Sequence, residues 1–256
     1  MMNFSAQTVL ITGSSRGLGA ALAKAFAKQG ALVIINYRSN EVAAHEVATQ
    51  CEALGGQAWP IQADVQDTAA VHAMVQDIIS ETGRIDVLVN NAFAPYTFNP
   101  DQRLRFQDLS WEQCAQQLNG SVKSTWVVSQ AVVPHMQRAS QGSIIHINSD
   151  LSEEAIVPYA DYATAKAALQ GLTRQMATDL GPYGIRVNSV APGLIWPTDS
   201  SRSTRASIRE QIIENTPLRR IATPEDVAGP VLFLASEHSA FMTGQSLFVN
   251  GGLVMR

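Results

Sequence analysis

The sequence predicts an α/β protein: a parallel sheet with helices on both faces, folded as a single domain over residues 1–256. Three observations carry this. Short runs rich in β-branched residues alternate with longer helical patterns along the whole chain, the order expected of βαβ units. Several runs are apolar without interruption, as in Val9-Leu10-Ile11 and Leu32-Val33-Ile34-Ile35, which suits strands buried on both faces. No internal repeat, low-complexity tract or linker divides the chain.

Taken in order, the strands are expected at 8–12, 32–36, 58–63, 87–90, 143–147, 186–190 and 246–249. Helical patterns cover 18–29, 42–54 and 71–81 in the first half. Ser110-Trp111-Glu112-Gln113 has the form of a capping box, in which residues three apart satisfy each other's free backbone donors. It opens a long helix expected over 111–137. Thr223-Pro224-Glu225-Asp226 supplies a cap residue, a proline at the first helical position and acids facing the helix dipole. Two segments break the rhythm, 93–109 and 194–209. The second is rich in Ser, Thr and Arg and reads as a mobile lid.

Composition narrows the function. A hydrophobic fraction of 46% and a charged fraction of 16% describe a globular chain. A net charge of −4 leaves no electrostatic footprint for nucleic acid or for an anionic membrane surface. No run approaches the roughly 18 apolar residues of a membrane span, and the first residues lack the basic start and apolar core of a signal peptide. A cytoplasmic protein is expected. Cys51 and Cys114 fall in helical patterns without CxxC or Cys/His spacing, so buried thiols and no metal site are expected.

The first strand ends in Thr12-Gly13-Ser14-Ser15-Arg16-Gly17-Leu18-Gly19, and a helix pattern follows at once. Glycines at such a turn let a phosphate approach the main chain, and the helix N-terminus offers it unpaired N–H groups. The spacing Gly-x-x-x-Gly-x-Gly without Gly-Lys-Ser/Thr argues against a nucleotide-triphosphate P-loop and for a dinucleotide. Gly13, Ser15, Arg16, Gly17, Leu18 and Gly19 are the candidate phosphate-side residues. At the end of the second strand, an acid would suit the ribose of NAD and an arginine the 2′-phosphate of NADP. Here stand Asn36-Tyr37-Arg38-Ser39. With no acid among them, and with Arg16 in the glycine loop, NADP(H) is favoured over NAD(H).

Tyr162 and Lys166 are four residues apart in a strongly helical region, which places them on one helix face. A tyrosine pKa of about 10 is too high for proton exchange near neutrality. A neighbouring ammonium and an oxidised nicotinamide both favour the phenolate. Tyr162 is therefore a candidate acid for a carbonyl oxygen and base for an alcohol.

In this order and spacing the motifs are specific: Thr12 to Gly19, Asn90-Asn91-Ala92, Ser149 thirteen residues before Tyr162, Tyr-x-x-x-Lys, and Pro192-Gly193. From about residue 5 onward the chain resembles the short-chain dehydrogenase/reductase family, with a pattern similar to the 3-oxoacyl-[acyl-carrier-protein] reductases. The resemblance implies a Rossmann-like, doubly wound, seven-stranded sheet and a homotetramer. It implies that Ser149 orients the substrate oxygen and Tyr162 transfers the proton. Lys166 would bind the nicotinamide ribose, and Asn119 would hold a water in the relay to Lys166. It further implies that Asp64 and Val65 meet the adenine, that Asn91 with Ala92 meets the cofactor ribose, and that Pro192, Gly193, Ile195 and Thr198 complete the cofactor site.

Several positions depart from the family pattern. Phe93 stands where glycine often follows Asn-Asn-Ala, and the segment after it either walls the pocket, packs over the sheet edge or meets another subunit. Pro197 takes the place of a carboxamide-binding threonine, with Thr198 one residue later. Asp150 follows Ser149, where an uncharged residue is usual. Glu153 and Glu154 read as solvated loop charges, and His135 and His146 as packing or surface residues. Tyr183 replaces an arginine often found in reductases of carrier-bound substrates. The leading expectation is an NADPH-dependent reductase of a 3-oxoacyl-thioester-like ketone. A dehydrogenase of another secondary alcohol, a pteridine-type or enoyl reductase, and a non-catalytic cofactor-binding regulator are the alternatives.

Overall fold

A computed structural model describes residues 2–99, 101 and 103–255. Seven strands form one parallel sheet in the order β3-β2-β1-β4-β5-β6-β7. They are β1 Thr8–Ile11, β2 Leu32–Tyr37, β3 Gln57–Gln62, β4 Val87–Asn90, β5 Gly142–Ile147, β6 Ile185–Pro192 and β7 Ser246–Val249. All seven expected strands form, with ends displaced by a residue or two. β3 is an edge strand and only partly buried, which is why it tolerates Pro60.

Strand side chains alternate between two cores. Val9, Ile11, Val33 and Ile35 pack on one face with Leu22 and Phe26 of α1 (Gly17–Ala27), Val47 of α2 (Glu41–Ala53) and Val231 of α8 (Pro224–Ala235). Leu10, Ile34, Leu88 and Ile144 pack on the other. There they meet Val71 and Ile78 of α3 (Thr68–Thr82), Val128 and Val132 of α5 (Ser124–Ala139) and Ala177 of α6 (Ala160–Leu180). The apolar runs thus reflect burial on both sides of the sheet. Strand order reverses between β1 and β4, which opens a crevice at the carboxyl ends of these strands.

The long helix expected over 111–137 is interrupted. α4 (Trp111–Leu118) opens with the Ser110/Gln113 capping box, and a π-helical turn, Asn119–Lys123, separates it from α5. Such a turn inserts an extra residue and rotates the following side chains. Gly120 makes the turn possible at this place, because a Cβ there would lie 2.4 Å from the backbone nitrogen of Ala94. α7 (Ala206–Asn215) begins inside the 194–209 segment, whose last four residues are therefore helical. No helix among the described residues is long and apolar enough to cross a membrane.

Candidate active site

The glycine-rich turn lies at the strand-order reversal. Gly13 and Gly17 have φ of +62° and +54°, backbone that non-glycine residues adopt only with strain. A Cβ on Gly19 would stand 2.6 Å from the Gly13 carbonyl oxygen. Arg16 precedes α1 without capping it, so the first N–H groups of the helix remain open toward the crevice. The turn is braced from behind. Gly13 N donates to Asn36 Oδ1 (3.1 Å), and Asn91 Nδ2 donates to the carbonyls of Thr12 (2.9 Å) and Gly13 (3.1 Å). The amides of Asn36 and Asn91 are therefore engaged within the protein, although both residues line the crevice.

One cavity of about 730 Å³ runs from this turn to Tyr162. Every cofactor-side residue expected from the sequence lines it: the glycine turn, residues 36–39, Asp64, Val65, Asn91, Ala92, Pro192, Gly193, Ile195 and Thr198. Ser149, Tyr162 and Lys166 line it too. Asn119 does not. The π turn leaves its side chain exposed, while Gln117 and Ser121 on the same stretch are buried with unpartnered side-chain oxygens. Asn119 was expected at the site from the resemblance alone; it stands exposed at the start of the π turn, outside the residues that line the cavity.

Ser149 ends the loop after β5 and Tyr162 lies in the first turn of α6. Lys166, one turn later, is 3% exposed and donates from Nζ to the Ile147 carbonyl at 2.8 Å. Its Nζ lies 5.6 Å from the Tyr162 ring centre and 5.5 Å from that of Phe93. Burial pushes the Tyr162 phenol well above its usual range, the Ser149 hydroxyl lowers it and the Asp150 charge raises it further. Burial also brings the Lys166 ammonium down to about 7. In the chain by itself, desolvation therefore outweighs the help to the phenolate expected from Lys166, because both groups lie in the same dry pocket.

Asp150 is 3% exposed and lines the cavity. Burial raises its carboxyl to about 6, and hydrogen bonding from the Asn250 amide, the Leu151 backbone and Ser149 only partly offsets this.

The 93–109 segment, two positions of which lie outside the described residues, walls the pocket. Phe93, Ala94, Pro95, Phe98 and Arg103 line it. Phe98 meets the Tyr162 ring edge-on at 5.2 Å and the Tyr159 ring at 5.5 Å, and Tyr96 lies 5.1 Å from Tyr162. Sequence reasoning missed Tyr159. Its three-residue spacing from Tyr162 was the only signal available.

The 194–209 segment covers the other side with Thr198, Ser201 and Thr204. It joins the first wall through Phe98 N to Ser200 O (3.0 Å) and joins the glycine turn through Arg16 to Asp199 (2.9 Å). Arg16, expected to await a phosphate, is thus paired across the cavity mouth. Arg38 is exposed and has no carboxylate partner among the described residues. His146 is a core residue against Thr173, and Glu153 pairs with Arg174. Cys51 is buried, whereas Cys114, expected to be buried, is only partly so.

A family model described as Enoyl-(Acyl carrier protein) reductase matches residues 13–254. The 3-oxoacyl-[acyl-carrier-protein] reductase FabG of Staphylococcus aureus is 34% identical over 249 residues, covering 97% of this chain and 98% of the relative. A short-chain dehydrogenase/reductase from Serratia marcescens BCRC 10948 superposes with a TM-score of 0.88 at 34% identity, over 98% of both chains. A gluconate 5-dehydrogenase from Burkholderia cenocepacia J2315, in complex with NADP and tartrate, does so with a TM-score of 0.90 at 34% identity, over 98% of this chain and 96% of that one. The chain belongs to the short-chain dehydrogenase/reductase family and is an NAD(P)-dependent oxidoreductase acting on CH–OH or C=O groups.

Proposed function

We propose that this oxidoreductase uses NADPH to reduce a ketone of the 3-oxoacyl-thioester type to a secondary alcohol. The observation that carries the reading is the meeting of Ser149, Tyr162 and Lys166 on one wall of the cavity whose far end is the glycine turn. The fit to a dinucleotide rests on the glycine turn that lines the cavity, packed so closely that a Cβ on Gly19 would strike the Gly13 carbonyl, and on the uncapped start of α1. When bound, the nicotinamide supplies a hydride to the carbonyl carbon. Tyr162, kept protonated by burial, passes its phenolic proton to the carbonyl oxygen. Ser149 holds that oxygen, and Lys166 balances the phenolate left behind. The unpaired Arg38 at the end of β2 suits a 2′-phosphate, so NADP(H) is the cofactor of this reading. A homotetramer is its assembly, to be checked by sedimentation equilibrium.

A second reading, an NADP-linked dehydrogenase of a hydroxy acid, is favoured by Arg103. Its guanidinium lies 5.9 Å over the Tyr159 ring and has no carboxylate partner among the described residues, so it is available to an acid group of a substrate.

Acetoacetyl-CoA with NADPH and gluconate with NADP+ are to be assayed side by side, with wild type and Tyr162→Phe. The first reading expects turnover of the thioester, lost by at least a hundredfold in the variant while NADPH still binds. Turnover of gluconate alone would select the second. An active Tyr162→Phe enzyme would remove the acid/base assignment altogether.

A further inference from the structure

The Ser149 hydroxyl has one hydrogen to donate and two lone pairs. Leu151 N–H donates into one lone pair at 3.3 Å, and Asp150 Oδ1 lies 3.4 Å from Ser149 Oγ. One direction is left for the cavity and whatever oxygen binds there. Which group Ser149 presents in that direction, hydrogen or lone pair, depends on what Asp150 presents to Ser149.

Asp150 is placed where its proton matters. Its second oxygen, Oδ2, is buried without a hydrogen-bond partner. A Cβ on Gly193 would lie 3.1 Å from that oxygen, so the carboxyl is pressed against bare backbone at the end of β6. Beyond β7 it faces Asn250, whose Nδ2 also donates to the Val254 carbonyl. From α6 it faces Tyr162, with Lys166 one turn further on. On its own turn, Glu153 and Glu154 bond to the Asp150 carbonyl through their backbone N–H groups, and the Glu153 carboxylate is directed to Arg174. No Lys, Arg or His pairs with Asp150 among the described residues. Among the described residues a negative charge there meets neutral donors alone, the Asn250 amide, the Leu151 backbone and Ser149, which offset its burial only in part.

We propose that Asp150 is a positioning residue that sets the polarity of the Ser149 hydroxyl, and that its neutral form is the one competent to reduce a carbonyl. A neutral Asp150 donates to Ser149 Oγ, and the Ser149 O–H is then free to donate to the carbonyl oxygen as negative charge develops on it. A carboxylate instead accepts the Ser149 hydrogen and leaves only a lone pair facing the substrate, which repels the developing charge. Removing one such donor costs roughly a hundredfold or more in other enzymes. Because the Asp150 charge also holds the Tyr162 phenol protonated, the loss of activity set by Tyr162 falls at higher pH. The Lys166 ammonium, brought down to about 7 by burial, titrates in the same range, so the transition of Asp150 is identified as the one that Asp150→Asn removes.

The inference rests on the proposed roles of Ser149 and Tyr162, and its test distinguishes the two. Reduction of acetoacetyl-CoA is followed from pH 5 to 9 at saturating NADPH with wild type, Asp150→Asn and Asp150→Val. Wild-type kcat/KM should fall at least tenfold between pH 5 and pH 8 with a midpoint near 6. The asparagine amide donates to Ser149 at every pH, so Asp150→Asn should show no such transition. Asp150→Val should also lack it, at a lower plateau. A transition unchanged in Asp150→Asn overturns the proposal, as does inactivity of both variants with NADPH binding intact. An active Tyr162→Phe enzyme would instead overturn the underlying mechanism. Infrared difference spectra of the full chain, which need no substrate, should show a protonated carboxyl band that disappears with the same midpoint and is missing in Asp150→Asn. If that band is missing in wild type as well, Asp150 is not neutral at low pH and the proposal fails.

Discussion

Replacing Asp150 by asparagine should stabilise the fold, and the gain should depend on pH. Burial lifts this carboxyl from the usual 3.8 to about 6, so the folded state holds the Asp150 proton more tightly than the unfolded chain does. Stability contributed by Asp150 is then greatest below pH 3.8 and is lost as pH rises toward 6. Each pH unit between the two values corresponds to about 1.4 kcal/mol, so the ionised carboxyl destabilises the fold at pH 8 by about 3 kcal/mol. Its 3% exposure leaves little solvent to screen that penalty. An asparagine of the same shape never ionises. Urea denaturation of the two proteins at pH 8 should show the variant more stable by up to this amount. At pH 5 the difference should shrink by roughly half, because most of the wild-type carboxyl is then neutral. A pH-independent difference, or a variant less stable at both values, would refute the reasoning. A group that weakens the fold beside Ser149, the proposed holder of the substrate oxygen, fits the usual exchange of stability for function.

Two further variants probe the cofactor end. Gly19→Ala should weaken NADPH binding at least tenfold in a fluorescence titration with the circular dichroism spectrum retained, since the new Cβ would lie 2.6 Å from the Gly13 carbonyl; an unchanged Kd would show that no close approach occurs there. Arg38→Asp should weaken NADPH binding roughly tenfold or more, the worth of a charge-assisted pair, and leave NADH binding unchanged or improved. Equal weakening of both would show that Arg38 does not meet a 2′-phosphate.

Much of this protein was determined by local sequence. Short β-branched and apolar runs alternating with helical patterns placed all seven strands, because a strand buried on both faces must be apolar throughout and a covering helix must be apolar on one side. The glycine turn was legible because only glycine adopts the backbone angles at Gly13 and Gly17 without strain. Tyr162 and Lys166 were legible as neighbours because residues four apart share a helix face, and Ser149 was named through the resemblance; all three line the cavity. Tertiary structure decided the rest. Asn119, expected from the resemblance, stands exposed at the start of a π turn that no sequence pattern announced and that is seated against Ala94. The 93–109 segment became the pocket wall through ring contacts with Tyr159 and Tyr162, which no local pattern encodes. Arg16 is paired with Asp199 from a distant segment. Asp150 is buried by Gly193 and Asn250 at the ends of other strands. Burial is set by neighbours remote in the chain, and the charge state of an acid is set by its burial. Sequence could therefore say which groups are available for the chemistry, and only the packed structure could say in what state they stand.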